Sequence, residues 1–181
     1  MTHEMCRKKH SLDGAFSMLQ YSTIAKKIVK KIKYGLARQV FTDITKIIPQ
    51  HMWRFEEYVQ TIGKEMILVP VPLHKSRKKK RGFNQAEVIG EYLSQTYNIS
   101  MQNALVRVRD TFPQAQIHRR IDRKKNIAGA FKTKDVMSVS GKNILLIDDV
   151  FTSGSTAQEA ARALKKDGAA KVFLYTLAHG R

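Results

Sequence analysis

The sequence predicts an α/β fold: a mainly parallel central sheet flanked by helices. Three observations carry this. From Glu65 onward, strand-like and helix-like segments alternate, the order that builds parallel sheets. The stretch NILLID, Asn143 to Asp148, is nearly continuous in apolar residues, which implies burial on both faces of the strand. The chain has 181 residues and is 43% hydrophobic, enough for the core of a domain of ordinary size.

Taken in order, Met1 to Ser11 is polar, and LDGAFSMLQY reads as a strand or hairpin. In YSTIAKKIVKKIKYG, Ile24, Ile28, Val29 and Ile32 recur at helical spacing, and Lys26, Lys27, Lys30, Lys31 and Lys33 cover the remaining surface. Ser22 or Thr23 can cap that helix and Gly35 can end it. Further helices are expected over Gln39 to Ile47 and over about Arg54 to Thr61, with Trp53 near the start of the latter. Residues 1–62 are therefore expected to form a basic, helical N-terminal segment, and residues 63–181 the α/β domain.

EMILVPVPLH is the first core strand, with Pro70 and Pro72 limiting its pairing. A basic loop, KSRKKKRG, is expected next. FNQAEVIGEYLSQTY is a helix with Ala86, Ile89, Gly90 and Leu93 on one face, and ALVRVR is a strand. The basic stretch Asp110 to Phe131 reads as a loop with a helical piece near His118 to Lys125. KNILLIDD then forms a strand, STAQEAARALKKDG a helix closed by Gly168, and AKVFLYTLA the last strand.

Lys and Arg total 33 against 15 acids, a formal net charge of +18, which favours a polyanionic partner or a phosphate-rich substrate. Cys6 is the single cysteine, so no intramolecular disulfide forms. No segment approaches 18 apolar residues and the N-terminus has no apolar signal core, so a cytoplasmic location is expected.

The chemistry concentrates in LLIDDVFTSGSTA. Thr152-Ser153-Gly154-Ser155-Thr156 lies between a strand end and a helix start, where unpaired N–H groups and the helix dipole favour an anion. Asp148 and Asp149 cannot face the same anion, so they need hydroxyls or a cation. A sugar phosphate meets both demands. No G-x-x-x-x-G-K-[ST] occurs, which argues against a Walker-type nucleotide site. An ordinary capped helix would also explain the loop, with the acid pair on the surface by chance.

LLIDDVFTSGSTA resembles the phosphoribosyl-pyrophosphate (PRPP) signature of type I phosphoribosyltransferases. The resemblance implies that Asp148 and Asp149 take the ribose hydroxyls and that Thr152, Ser153, Gly154, Ser155 and Thr156 take the 5′-phosphate, with Val150 and Phe151 between them. VPVPLHKSRKKKRGFNQAEVIGEYL and RVRDTFPQAQIHRRIDRKKNIAGAF, in this order before the signature, resemble the ComF family, RGFNQA most specifically. The resemblance implies a type I phosphoribosyltransferase-like domain, PRPP bound with Mg²⁺, and a competence role in handling incoming single-stranded DNA beside a ComFA-like helicase/ATPase. It also allows a homo-oligomer, and a place at the inner face of the membrane. Asp148 and Asp149 are candidates to touch the Mg²⁺. Many ComF proteins begin with a four-cysteine zinc ribbon; with Cys6 alone, zinc is not expected here.

By the same resemblance Leu73, His74, Lys75, Arg77 and Arg81 are candidates for the pyrophosphate loop. The stretch Arg107 to Phe131 corresponds to a lid that closes over the pyrophosphoryl group, with Thr111, Gln114 and Arg123 matching the pattern. Lys26, Lys30, Lys78, Lys79, Lys80, Arg119, Arg120 and Arg123 are candidates for nucleic-acid contact. Scattered aromatics such as Tyr92 and Tyr97 suit core packing. No residue stands out as a catalytic base. Whether the chain is an active phosphoribosyltransferase, and for which acceptor, is open at this point.

Overall fold

The computed structural model describes residues 11–20, 55–63 and 65–179. The helices expected over residues 24–32 and 39–47, and with them Cys6, Lys26 and Lys30, lie outside the described residues. The central sheet contains β1 (Gly14–Gln20), β2 (Ile67–Pro70), β5 (Asn143–Phe151) and β6 (Lys171–His179) in the order β1-β6-β5-β2. Every pairing in it is parallel. Residues 100–102 flank the far edge of β2: the Leu68 N–H donates to the Ser100 carbonyl and the Gln102 N–H to the Leu68 carbonyl, each at 2.9 Å.

Ile144 to Ile147 are fully buried, as the unbroken apolar run demanded. Their side chains alternate between two core layers. Ile144 and Leu146 pack with Val69, Leu174 and the alanine face of α5 (Ser155–Lys166), namely Ala157, Ala160 and Ala161. Leu145 and Ile147 pack with Leu68, with α1 (Phe55–Ile62) and with α3 (Gln85–Tyr97) through Ile89 and Leu93. Aromatic contacts seal this second layer, with Phe55 4.6 Å from Tyr97 and edge-on to Tyr175 at 5.2 Å between ring centroids.

The stretch LDGAFSMLQY resolves to a single outer strand rather than a hairpin. Asp13 anchors its start. The Val172 N–H donates to the Asp13 carboxylate at 2.7 Å, and Lys165 of α5 pairs with it at 2.8 Å. Gly14–Gln20 thereby belongs to the central sheet, although it lies within the N-terminal segment read as helical.

Two regions differ from expectation. The basic run expected as a loop is the helix α2 (Lys75–Arg81). Its residues are good helix formers, His74 caps its start, and Gly82, at φ 79°, ends it. The side chain of Lys78 pairs with Glu87 at 2.8 Å, which relieves part of the like-charge crowding. The stretch expected as a lid loop is a compact excursion from an antiparallel pair. It leaves β3 (Leu105–Arg107), passes a 3₁₀ turn (Gln114–Gln116) and α4 (Arg120–Ile127), and returns as β4 (Phe131–Thr133). β4 was not expected, because three residues carry too little pattern to read.

Asn84 of RGFNQA has two tasks. Its Oδ1 accepts the Ala86 N–H at 3.2 Å, capping α3, and its Nδ2 donates to the Val71 carbonyl at 3.0 Å, tying that helix to the end of β2. It is almost fully buried. Asn84→Ala is expected to destabilise the protein by about 2–4 kcal/mol, a lost cap plus an unsatisfied buried carbonyl. Urea unfolding monitored by circular dichroism measures this.

Candidate functional site

The site begins where β2 stops. Pairing of β2 with β5 ends at Pro70 and Ile147, and the last link is the Val71 N–H to the Ile147 carbonyl at 2.9 Å. β5 continues against β6 to Phe151. Asp148 and Asp149 therefore do not end their strand, as expected from sequence. They occupy its extension, which among the described residues only β6 pairs. After β2 the chain leads to α3 on one layer; after β5 it leads to α5 on the other. Neighbouring parallel strands whose helices go to opposite faces open a crevice at their carboxyl ends, the usual ligand position in such sheets.

Asp148 and Asp149 are both half-buried. The Asp149 N–H donates to Asp148 Oδ1 at 2.8 Å. Adjacent residues of an extended strand alternate in side-chain direction, so the two carboxylates do not point directly at one another. Across the sheet from Asp148, fully buried Thr176 shares a hydrogen bond with Ser17 at 2.7 Å.

The loop after β5 turns at Gly154, at φ 72°, a backbone conformation that disfavours any side chain. Ser153 and Ser155 hydroxyls lie 3.0 Å apart, and the Ser155 N–H donates to Ser153 Oγ at 3.4 Å. Thr152 is exposed and Thr156 half-buried. Among the described residues, the N-cap Gly154 offers no side-chain cap to α5 and no acid occupies its first turn, so the positive end of this 12-residue helix favours negative charge. Beside the loop, Phe151 stacks on His179 at 5.2 Å between ring centroids. Val150 lies between, half-buried.

The pyrophosphate-loop candidates divide. Leu73 and His74 lie in the turn after β2, half-buried, and Lys75 is exposed at the start of α2. Arg77 reaches the lid root, donating to the Thr111 carbonyl and lying 3.6 Å from Asp110. Arg81 is half-buried at the other end of α2. Of the nucleic-acid candidates, Lys79, Lys80, Arg119 and Arg120 are exposed, whereas Lys78 is paired with Glu87. Arg123 is drawn inside the lid: its Nε donates to the Ile117 carbonyl at 2.7 Å, and Gln114 donates to the Arg123 carbonyl at 3.2 Å. Asn126 and the Phe112 backbone exchange two further bonds, at 3.1 and 2.9 Å.

Sequence reading missed Arg107 as a site residue. It is only 6% exposed, donates to Thr111 Oγ1, and lies 5.5 Å from the Phe131 ring centroid. Burial foremost, and the neighbouring Arg77 charge, lower its pKa to about 10 against the pull of Asp148 and Asp110. The signal was alternation. In ALVRVR, Arg107 shares a strand face with core residue Leu105, so it had to point inward. Ser76 and Asp110 were also passed over.

A match to the phosphoribosyl transferase domain covers residues 54–181. The chain belongs to that family. It is 33% identical over 117 residues to competence protein F of Haemophilus influenzae, covering 61% of this chain and 49% of that protein. It is 36% identical to the DNA utilization protein YhgH of Escherichia coli K12, covering 61% of this chain and 48% of that one. It is 37% identical to competence protein ComFC of Bacillus subtilis, covering 63% and 45%. The resemblance to ComF proteins is thus borne out. The chain spans about half the length of these curated relatives. Among solved structures, a glutamine PRPP amidotransferase from B. subtilis, complexed with ADP and GMP, aligns at a TM-score of 0.42 and 15% identity, over 61% of this chain and 22% of that one. That likeness is too partial to add to the family match.

Gly154→Ala is expected to cost about 1–2 kcal/mol of stability, the strain of an L-residue in the left-handed region, without altering secondary structure. Thermal unfolding and far-ultraviolet circular dichroism test this.

Proposed function

We propose that the chain binds PRPP with Mg²⁺ in the crevice between β2 and β5, and acts as a ComF-type competence protein in the uptake and processing of single-stranded DNA. One observation carries the pocket reading: the acid pair and the Gly154 turn meet where β5 has lost its neighbour β2. Asp148 and Asp149 take the ribose hydroxyls. Ser153, Gly154, Ser155 and Thr156, with the first turn of α5, take the 5′-phosphate. His74 and Arg77 face the pyrophosphate end.

Among the described residues, no three His, Cys, Asp or Glu side chains converge to hold a metal. Mg²⁺ keeps most of its ligands as water and phosphate oxygen and needs only one or two carboxylates. The acid pair suits a Mg²⁺ that arrives with the ligand, where it would neutralise the pyrophosphate oxygens.

The names of the relatives support the competence reading, and the +18 charge suits a nucleic-acid partner. Exposed Lys79, Lys80, Arg119 and Arg120 are among the cations placed to track a strand. A ComFA-like ATPase is the corresponding protein partner. No helix among the described residues is long and apolar enough to cross a membrane. The setting we propose is cytoplasmic, with the uptake machinery at the inner face of the membrane.

A second reading is an active phosphoribosyltransferase that moves ribose 5-phosphate to an acceptor and releases pyrophosphate. The internally bonded lid rooted beside the crevice favours it, because such a lid excludes water from a reactive ribosyl centre.

Calorimetric titration of PRPP and Mg²⁺, with and without single-stranded DNA, tests the pocket. Micromolar binding is expected, abolished in Asp148→Asn/Asp149→Asn. Retained affinity in that double variant would sink the assignment of the acids.

Replacing Lys78, Lys79 and Lys80 with Ala should lower the slope of log affinity for single-stranded DNA against log salt by about 1–2, given roughly 0.7 per phosphate contact and the diversion of Lys78 to Glu87. An unchanged slope leaves the run as solvated surface.

A further inference from the structure

The groups that face the pyrophosphate end already hold an anion, and it belongs to the chain. Asp110 comes from the lid root, just after β3. Ser76 Oγ donates to its Oδ2 at 2.6 Å, and His74 Nδ1 lies 3.4 Å from the same oxygen. The Arg77 guanidinium lies 3.6 Å from Oδ1 and also donates to the adjacent Thr111 carbonyl. Buried Arg107 sits behind, bonded to the Thr111 hydroxyl. A hydroxyl and a guanidinium thus converge on one carboxylate, beside an imidazole whose Nδ1 accepts the Ser76 N–H, with a second guanidinium in range. The Asp110 side chain is 50% exposed, so it meets this cluster from the solvent side.

The Ser76 hydrogen bond foremost, with the nearby cations, holds the Asp110 carboxyl below its ordinary range, so it is ionised at neutral pH. It contributes no core packing. What it does is neutralise the donors of a ligand site.

We propose that Asp110 is an internal stand-in for the ligand's pyrophosphate end, resting on Ser76 and Arg77 beside His74 until a stronger anion displaces it. This deepens the pocket reading and rests on it. Two consequences follow from competition for one set of donors. Ligand affinity is reduced by the fraction of time that Asp110 occupies them. A pyrophosphate group carries several charges and more acceptor oxygens than a carboxylate, so it wins where a lone monoanion does not. Displacing Asp110 removes the Ser76 and Arg77 contacts it gives the lid root, leaving Thr111 held by Arg77 and Arg107, which couples occupancy to lid position.

The test is a gain of affinity, which misfolding cannot imitate. Asp110→Asn and Asp110→Ala are each expected to bind PRPP with Mg²⁺ roughly three- to tenfold tighter than the parent at 0.15 M salt, the scale of an exposed charged contact. Asp122→Asn, which removes an exposed lid carboxylate on α4, controls for net charge and should leave affinity unchanged, since distant exposed charges are screened at that salt. Equal or weaker binding in both Asp110 variants, or the same gain in Asp122→Asn, overturns the proposal. If neither the parent nor any variant binds PRPP, the pocket reading fails. Hydrogen exchange of the lid amides, residues 108–127, in the ligand-free protein then decides the contact separately. Faster exchange in Asp110→Ala upholds it, and unchanged exchange overturns it.

Discussion

β2 surrenders its ladder to β5 at Pro70 while β6 holds β5 for four residues more, and the candidate site is built on that offset. Pro70 has no N–H to donate, and with Pro72 close behind the chain cannot stay in the sheet. Asp148 and Asp149 are therefore placed on a strand that is rigid from below, through fully buried Ile144 to Ile147, and open toward the space β2 has vacated. The two layers enforce the opening. α3 and α5 cover opposite faces, so neither closes over the gap between their parent strands.

Polar residues fasten the rim to this frame. Gly82 ends α2 in a left-handed turn, and Asn84 both caps α3 and holds the Val71 carbonyl, so the segment between β2 and α3 is pinned at the mouth of the crevice. RGFNQA is thus a joint. On the opposite layer, the β3–β4 pair carries Arg107 inward, over Phe131 and within electrostatic range of Asp148. A guanidinium buried this deeply is costly, and its Nε finds no partner among the described residues. The charge is offset in part by the Thr111 hydroxyl it anchors and by the pull of Asp148 and Asp110.

The lid root and α2 form one electrostatic unit. Asp110 and Thr111 on one side and His74, Ser76 and Arg77 on the other come from segments some 34 residues apart in the chain, yet share their hydrogen bonds. The segment after β3 and the start of α2 are therefore held together by the same few donors.

Much of this was legible in the residues. The apolar run before the acid pair, the small-residue loop after it and the helix beyond are local patterns, and local patterns survive translation into structure because backbone period and burial set them. The alternation of elements determined the parallel sheet, and the twin prolines determined where β2 stops. Tertiary structure alone decided the rest. That α2 is helical depends on His74, Gly82 and the Glu87 partner acting together. That β4 exists at all depends on β3 lying beside it. The convergence of Arg107, Arg77 and Asp110 on Thr111 is a long-range arrangement of charges, and long-range charge pairing leaves no periodic trace in a sequence because it needs only proximity in space.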